Sequence, residues 1–507
     1  MKVFIYNIVL GVTREVLVLV KQKLLKNKRT KVLATIGPAS SSEKIIKRLV
    51  DAGANVFRLN MSHGEHHTHK KSYEFIRKAA AECGMHIAIL ADLCGPKIRT
   101  GAFEGGSITL EQGENVVVTM RNVVGKAGVI PSQYSALAED VDVGQRIFLA
   151  DGVMELVVEH IEGSDVQCRV VQGGILGDHK GINLPDASVS APSMTAKDYK
   201  DAAFAVDLGV DYLALSFVRH ADDVINLRSW LEKQGASTSI IAKIERPEAL
   251  ENATAIIAAS DAVMVARGDL GVELPPEQVP IAQHMLIEES RKLNKPVIVA
   301  TQVLESMIEH ARPTRAETTD IFHSVSSGAD AVMLSGETAV GSYPVEAVEM
   351  MVRVILNTES YLWNHGAFAS SANLQNDGGV QVSSSGEILR FGNAVARSTA
   401  LLSRDLMVRG IVVCSESGWT TLTVSAERPE APVLAVSSHA EVCRKMSLVW
   451  GVIPVLIECE PMENRAFLAK DLVERFRLAS SGHSILLVKG FHRDENFNHP
   501  SITVLKV

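Results

Sequence analysis

Four charged residues stand at the ends of two apolar runs. SIIAKIE (239–245) stops on Lys243 and Glu245, and DAVMVARGDLG (261–271) carries Arg267 and Asp269 just past its apolar part. A short Val/Ile/Ala-rich run reads as a buried parallel strand, and charges at its C-terminal end emerge where barrels and open α/β sheets keep their active sites. If Glu245 and Asp269 converge there, two carboxylates about 4 Å apart repel by roughly 4 kcal/mol at an effective dielectric near 20, and a divalent cation turns that repulsion into a binding site. Two carboxylates as the only protein ligands suit Mg²⁺, which keeps waters and takes substrate oxygens. The plainer reading is a Lys243–Glu245 ion pair and a solvated turn at Arg267 and Asp269.

Positioning these groups is the work of a regular rhythm that begins at Thr30. Apolar runs with polar stops occur at 31–37, 55–60, 86–92, 211–217, 239–245, 262–267, 296–301 and 331–335, most of them separated by helical periodicity. Eight strands alternating with helices through right-handed crossovers predict an α/β fold, a (β/α)8 TIM barrel. The polar stops are Thr35, Arg58 with Asn60, Asp92, Ser216, Lys243 with Glu245, Asp269, Thr301, and Ser335 with Glu337.

The rhythm breaks between the third and fourth runs. Residues 97–196 hold short alternating stretches between glycine-rich turns, which predicts a small inserted antiparallel β-barrel domain acting as a lid, hinged at Gly95-Pro96 and Leu184-Pro185. The barrel is therefore expected over 30–96 and 197–360. A Ser/Gly/Asn-rich linker follows over 361–386, then a doubly wound α/β domain over 387–507. The first strand of that last domain runs into Ser415-Glu416-Ser417-Gly418-Trp419-Thr420-Thr421. There a helix N-terminus with hydroxyls could seat a phosphate, or the hydroxyls could simply cap the helix. Residues 1–29 read as an amphipathic N-terminal arm with a basic lead-in rather than a signal peptide or a membrane span.

Composition narrows the classes. Across 507 residues the net charge is −8, which argues against an extended nucleic-acid surface, and 46% hydrophobic with 22% charged residues describes an ordinary globular chain without a membrane partner. The six cysteines form no C-x-x-C pair, so a reducing cytoplasm is expected. The cluster His63, His66, His67 and His69 has no common metal spacing and reads as solvated histidines at a helix start.

The segments TKVLATIGPAS (30–40), NVFRLNMSHG (55–64), GPKIRTG (95–101), KGINLP (180–185), AKIERPE (242–248), VMVARGDLGVE (263–273), ATQVLESMI (300–308), RPTRAE (312–317) and VMLSGETAVGSYPVEAV (332–348) together resemble the pyruvate kinase family. The resemblance implies phosphoryl transfer from phosphoenolpyruvate to ADP, giving pyruvate and ATP. It implies Mg²⁺ on Glu245 and Asp269, and Lys243 stabilising the phosphoryl in flight. Arg58 would sit on the phosphate side, Gly268 and Asp269 at the substrate carboxylate, and Thr301 near the carbon that is protonated. Asn60, His63, Arg99 and Lys180 would contact the nucleotide. A homotetramer and a phosphorylated allosteric effector at Ser415, Ser417, Gly418, Thr420 and Thr421 are also implied. A barrel enzyme handling phosphoenolpyruvate or pyruvate without a nucleotide has no need of Arg99, Lys180 and a lid. A non-catalytic relative has no need of Lys243, Glu245, Asp269 and Thr301 together.

The chain departs from the family in three places. Potassium-dependent members hold a monovalent cation with Asn, Ser, Asp and Thr, and here those positions read Asn60, Ser62, Asp92 and Leu93. Where those members carry Glu, this chain has Lys97, whose ammonium could take the charge role of the ion, so K⁺ is expected not to be required. In the effector loop an arginine position reads Trp419, and the later loop reads GFHRDENFNHP (490–500). Residues 321–327, IFHSVSS, replace a smaller helix segment, with no physical account from the sequence.

Overall fold

The structure is a computed structural model that describes residues 27–187, 189–365, 391–457, 465–492 and 497–507. The expected arm over most of 1–29, the expected linker over most of 361–386, and part of the later loop lie outside the described residues.

Eight parallel strands close into a barrel. They are β1 (Lys31–Ile36), β2 (Val56–Asn60), β3 (Ala88–Asp92), β4 (Tyr212–Leu215), β5 (Ser239–Ile244), β6 (Ala262–Ala266), β7 (Val297–Ala300) and β8 (Ala331–Leu334). All eight predicted runs are strands. Side chains alternate between the barrel interior and the helix-covered exterior. Leu33, Val56, Leu90, Tyr212, Ile241, Met264, Ile298 and Met333 share one buried interior cluster. Their neighbours one residue along, such as Val32, Phe57, Ile89, Ile240 and Val263, belong to the layer beneath the helices.

That alternation builds the site. Two residues beyond interior Val56, Leu90 and Ile241 come Arg58, Asp92 and Lys243, so the same face that packs the barrel lower down turns charged at its C-terminal mouth. The floor is closed differently. Leu448, from the C-terminal part of the chain, completes the interior cluster. Around it, Arg428 Nη2 meets Asp330 Oδ2 at 2.8 Å with both side chains buried, Arg444 Nε meets Asp211 Oδ1 at 2.7 Å, and Lys31 Nζ donates to the Val452 carbonyl at 2.6 Å. A buried pair such as Arg428–Asp330 is strongly destabilising to break singly, so it helps fix where the C-terminal layer docks.

Between β3 and β4 the chain forms a mostly antiparallel six-stranded sheet and a two-stranded ribbon around their own apolar core. This unit rests over the mouth: Arg219 Nη2 donates to the Ala191 carbonyl at 2.7 Å, and Asn183 Nδ2 to Glu273 Oε1 at 3.0 Å. The C-terminal sheet comprises β9 (Ile411–Cys414), β10 (Val433–Ser437), β11 (Val452–Leu456), β12 (Ser484–Lys489) and β13 (Ser501–Lys506), in the order β11-β10-β9-β12-β13. Only β13 is antiparallel to its neighbour. Separate buried clusters flank this sheet, as a doubly wound layer requires. Among the described residues no helix is long and apolar enough to cross a membrane. The unexplained segment 321–327 lies in and just beyond helix Arg315–Ser326, where Phe322 packs at 6.3 Å on Tyr361 of the helix Pro344–Asn364.

Candidate active site

Lys243 is the hub of the mouth. Its Nζ lies 2.7 Å from Glu245 Oε1 and 3.4 Å from Asp92 Oδ1, and donates to Ser216 Oγ at 2.6 Å. The lysine side chain is only 12% exposed and both carboxylates 1%. Burial works against its charge, but Asp92 and Glu245 outweigh it and raise the Lys243 pKa above its ordinary value. Asp92 is held down for the mirror reason: burial pushes it up, and Lys243 and Arg58 more than reverse that. Arg58 Nε meets Asp92 Oδ2 at 2.6 Å, and Arg58 Nη1 reaches Thr35 Oγ1 at 3.3 Å.

Glu245 moves the other way. Burial raises its pKa, Lys243 opposes, and the charge of Asp269 raises it further. Its Oε1 faces Lys243 and its Oε2 accepts the Phe217 N–H at 2.7 Å, yet these donors leave the carboxylate under-neutralised. A divalent cation beside Glu245 would offset both its burial and the charge of Asp269. Among the described residues no group of three or more His, Cys, Asp or Glu is arranged to hold a metal. Two carboxylates with open coordination positions fit Mg²⁺, whose remaining ligands come from water and substrate.

Asp269 sits in the first turn of helix Arg267–Glu273, immediately past β6. Gly268 N–H of the same turn donates to Thr301 Oγ1 at 2.7 Å, and the Thr301 hydroxyl donates to the Ala300 carbonyl at 2.6 Å. A Cβ on Gly268 would lie 3.3 Å from Thr301 Oγ1, so a larger residue would have to push the threonine aside by a few tenths of an ångström. Thr301 and Gln302 take left-handed backbone angles of +68° and +53°. Arg267 holds this turn by donating to the carbonyls of Ala300, Thr301 and Gln302 while pairing with Asp320 at 2.6 Å.

The expected nucleotide contacts divide into two groups. Asn60 and His63 lie together after β2, where Asn60 Oδ1 accepts the Ser62 N–H at 3.1 Å and the exposed His63 lends its carbonyl to His69. Arg99 and Lys180 lie on adjoining antiparallel segments of the inserted unit, with Arg99 bridged to Gly181. His66 pairs with Asp201 at 2.8 Å and stacks on Phe204.

At the expected monovalent-cation positions, Asp92 takes its positive partners from Arg58 and Lys243. The Leu93 side chain is buried in the layer beneath the helices, and only its carbonyl turns toward the mouth, accepting Ser216 Oγ–H at 2.8 Å. The Lys97 ammonium lies 3.6 Å from Asp151 Oδ1, on the side of the inserted unit, and not against Asp92. In the effector loop Ser417 is exposed, Ser415, Thr420 and Thr421 are buried, and Gly418 adopts +82° ahead of helix Trp419–Ala426. The Thr421 hydroxyl is buried without a hydrogen-bond partner.

Two residues beside the carboxylates had no assigned role in the sequence. Ser216 is visible there as a polar stop, and its bond to Lys243 follows from interior-facing parity with Ala214. Phe217 carries no sequence signal, because its contribution is a backbone N–H presented at a left-handed φ of +54°.

A closed eight-stranded barrel with a lysine and three carboxylates at its mouth, roofed by an inserted unit, defines a (β/α)8-barrel enzyme. Comparison with known proteins narrows that class. The family described as "Pyruvate kinase, barrel domain" matches residues 27–348, and "Pyruvate kinase, alpha/beta domain" matches residues 393–503. The chain is 41% identical to pyruvate kinase 2 of Synechocystis sp. over 446 residues, covering 87% of this chain and 73% of the relative. It is 44% identical to pyruvate kinase of Staphylococcus aureus over 431 residues, covering 85% and 72%. The chain belongs to the pyruvate kinase family, whose members are phosphotransferases.

The elevated Lys243 pKa has a direct consequence. A lysine raised above its ordinary 10.5 contributes stability that is fully present below that pH and lost only as pH climbs through the higher folded value. Nitrogen-15 spectra of lysine side chains should show the Lys243 ammonium still charged at about pH 10, while exposed lysines with pKa values near 10.4 are already titrating.

Proposed function

We propose that this enzyme transfers the phosphoryl group of phosphoenolpyruvate to ADP, with Lys243, Arg58 and the Glu245–Asp269 pair at the reacting centre. The observation that carries this reading is the buried Lys243 held among Asp92, Glu245 and Ser216 at the barrel mouth. In the forward reaction the bond from phosphorus to the C2 oxygen of phosphoenolpyruvate breaks, and a bond from phosphorus to a terminal oxygen of ADP forms. The enolate left behind takes a proton at C3 to become pyruvate. Mg²⁺, when bound by Glu245 and Asp269, supplies charge neutralisation for the phosphoryl and enolate oxygens.

The chain's own groups do the rest. Lys243 presents an ammonium held close by the Ser216 hydroxyl and Glu245, with the Asp92 charge 3.4 Å away, so it needs little reorganisation as charge shifts onto the phosphoryl oxygens. Arg58, anchored by Asp92, offers its remaining guanidinium N–H groups to the phosphate. Backbone around Gly268 and Asp269 takes the substrate carboxylate. Thr301 lies against this turn, but its hydroxyl hydrogen is committed to the Ala300 carbonyl, so handing a proton toward C3 requires it to rotate and pass the proton through water. Arg99 and Lys180 contact the nucleotide from the inserted unit, while Asn60 and His63 do so from the barrel.

Three finer assignments follow. Catalysis does not require K⁺: Leu93 offers no hydroxyl, Asp92 is already balanced by two cations, and Lys97 lines the cavity that also holds Phe217 and Asp269. A phosphorylated effector docks at Ser415, Ser417, Gly418, Thr420 and Thr421, for which the unpartnered Thr421 hydroxyl is the supporting feature. The assembly is a homotetramer, consistent with Ile281 and Met285 each 61% exposed on helix Val279–Lys292.

A coupled assay tests the main reading. Pyruvate formation should require both ADP and Mg²⁺, and Lys243→Met should lower kcat about 10²- to 10³-fold. Turnover without ADP would favour a lyase or aldolase instead. The same assay in K⁺-free, Na⁺-free buffer should match that in K⁺, and a tenfold stimulation by K⁺ would overturn the assignment to Lys97.

A further inference from the structure

The chain leaves the barrel for the inserted unit at Gly95 and returns at Thr195, and one carboxylate holds both crossings. Asp198 Oδ1 accepts the Gly95 N–H at 3.0 Å, and Asp198 Oδ2 accepts the Thr195 N–H at 2.8 Å and the Thr195 hydroxyl. Asp198 is fully buried, and the same contacts cap the helix Ala196–Leu208. The outgoing hinge is thereby fixed to the barrel at one point rather than trailing as a loop.

Gly95 in turn rests on Phe217. At φ +69°, a Cβ built on Gly95 would lie 2.8 Å from Phe217 Cδ2 and 3.1 Å from Ser216 Cβ. Nothing larger than a hydrogen fits between hinge and ring. Phe217 is itself held in the left-handed region at +54°, a conformation that a non-glycine residue keeps only when its surroundings impose it. Its N–H donates to Glu245 Oε2 at 2.7 Å. Directly before it, Ser216 donates to the Leu93 carbonyl at 2.8 Å and accepts from Lys243 at 2.6 Å.

We propose that Phe217 is a positioning residue that couples the Gly95 hinge to the Glu245 carboxylate, so that the position of the inserted unit sets the affinity of the site for its divalent cation. The inference rests on Glu245 being a metal ligand. With the hinge seated as seen here, Gly95 presses the Phe217 ring, the strained backbone stays in place, and its N–H holds Glu245 in one orientation. When the inserted unit swings far enough to draw the Gly95 N–H off Asp198, Phe217 relaxes, its N–H leaves Oε2, and Glu245 loses the partner that fixes its orientation. Linkage runs in reverse as well: the cation bound at Glu245 favours the seated hinge and thus a covered mouth.

The test measures Mn²⁺ binding to the full chain by electron paramagnetic resonance of the free ion, without substrates, in Gly95→Ala, Phe217→Ala, the double variant and Glu245→Gln. Gly95→Ala should weaken Mn²⁺ binding about fivefold or more, as should Phe217→Ala. The double variant should bind within about twofold of Phe217→Ala, because the added methyl no longer meets a ring. Backbone strain from alanine at a left-handed position, and the 3.1 Å approach to Ser216 Cβ, enter both backgrounds and cancel when the Gly95→Ala penalty in wild type is divided by that in Phe217→Ala. Multiplying penalties, or wild-type binding by Gly95→Ala, overturns the coupling. Should Gly95→Ala fail to fold, Phe217→Ala and Asp198→Ala carry the test, and wild-type Mn²⁺ affinity in both overturns it. Glu245→Gln separates the two ideas: a loss of tenfold or more keeps Glu245 as a ligand whatever the hinge does. Wild-type binding by Glu245→Gln removes the ligand assignment and the coupling with it.

Discussion

A protonated amine almost sealed from solvent has to be neutralised by something fixed, and that requirement organises the mouth of this barrel. Lys243 satisfies it with Asp92, Glu245 and the Ser216 hydroxyl. Once Asp92 is committed it draws in Arg58, and once Glu245 is committed its second oxygen draws in the Phe217 N–H. Each group is held by the charge of the next, so the array needs no loop to be ordered by substrate before it can act. Asp269 is the exception. It adds negative charge beside Glu245, which burial already pushes toward its neutral form, without adding a donor.

The two ends of the barrel divide the labour. Apolar interior residues fill the middle, and the floor is closed by Leu448 with the buried Arg428–Asp330 pair and the half-buried Arg444–Asp211 pair. Those contacts make the C-terminal layer an extension of the barrel's packing, so a displacement within it meets strands β1, β4 and β8 directly. The mouth is left to charged side chains and to a roof attached through narrow, partly glycine-dependent junctions.

Much of this could be read in the sequence because it is periodic. Strand runs with polar stops fixed the barrel, and the charged stops at Arg58, Asp92, Lys243 and Glu245 do stand together. Interior parity explains why: each charged side chain lies an even number of residues from a packed one on its strand. What could not be read depends on contacts across the chain. The sequence could not show that Lys97 follows the departing hinge and meets Asp151, while Asp92 is served by residues on two other strands. Leu93 is one residue out of phase, so its side chain joins the outer packing and only its carbonyl reaches the site. Phe217 acts through a backbone N–H that no local pattern marks, and Asp198, visible locally only as the Thr195-x-x-Asp198 helix cap, has its hinge partner Gly95 remote in sequence.

The account stands on Lys243 and Asp92 acting as one unit, and a double-mutant cycle on kcat measures that most directly. With Lys243→Met, Asp92→Asn and both together, the predicted result is strong non-additivity: the double variant should be no more than a few-fold slower than Lys243→Met alone, because Asp92 works by holding the lysine's charge. Independent, multiplying losses would contradict it and leave the buried charge array without a role in the reaction.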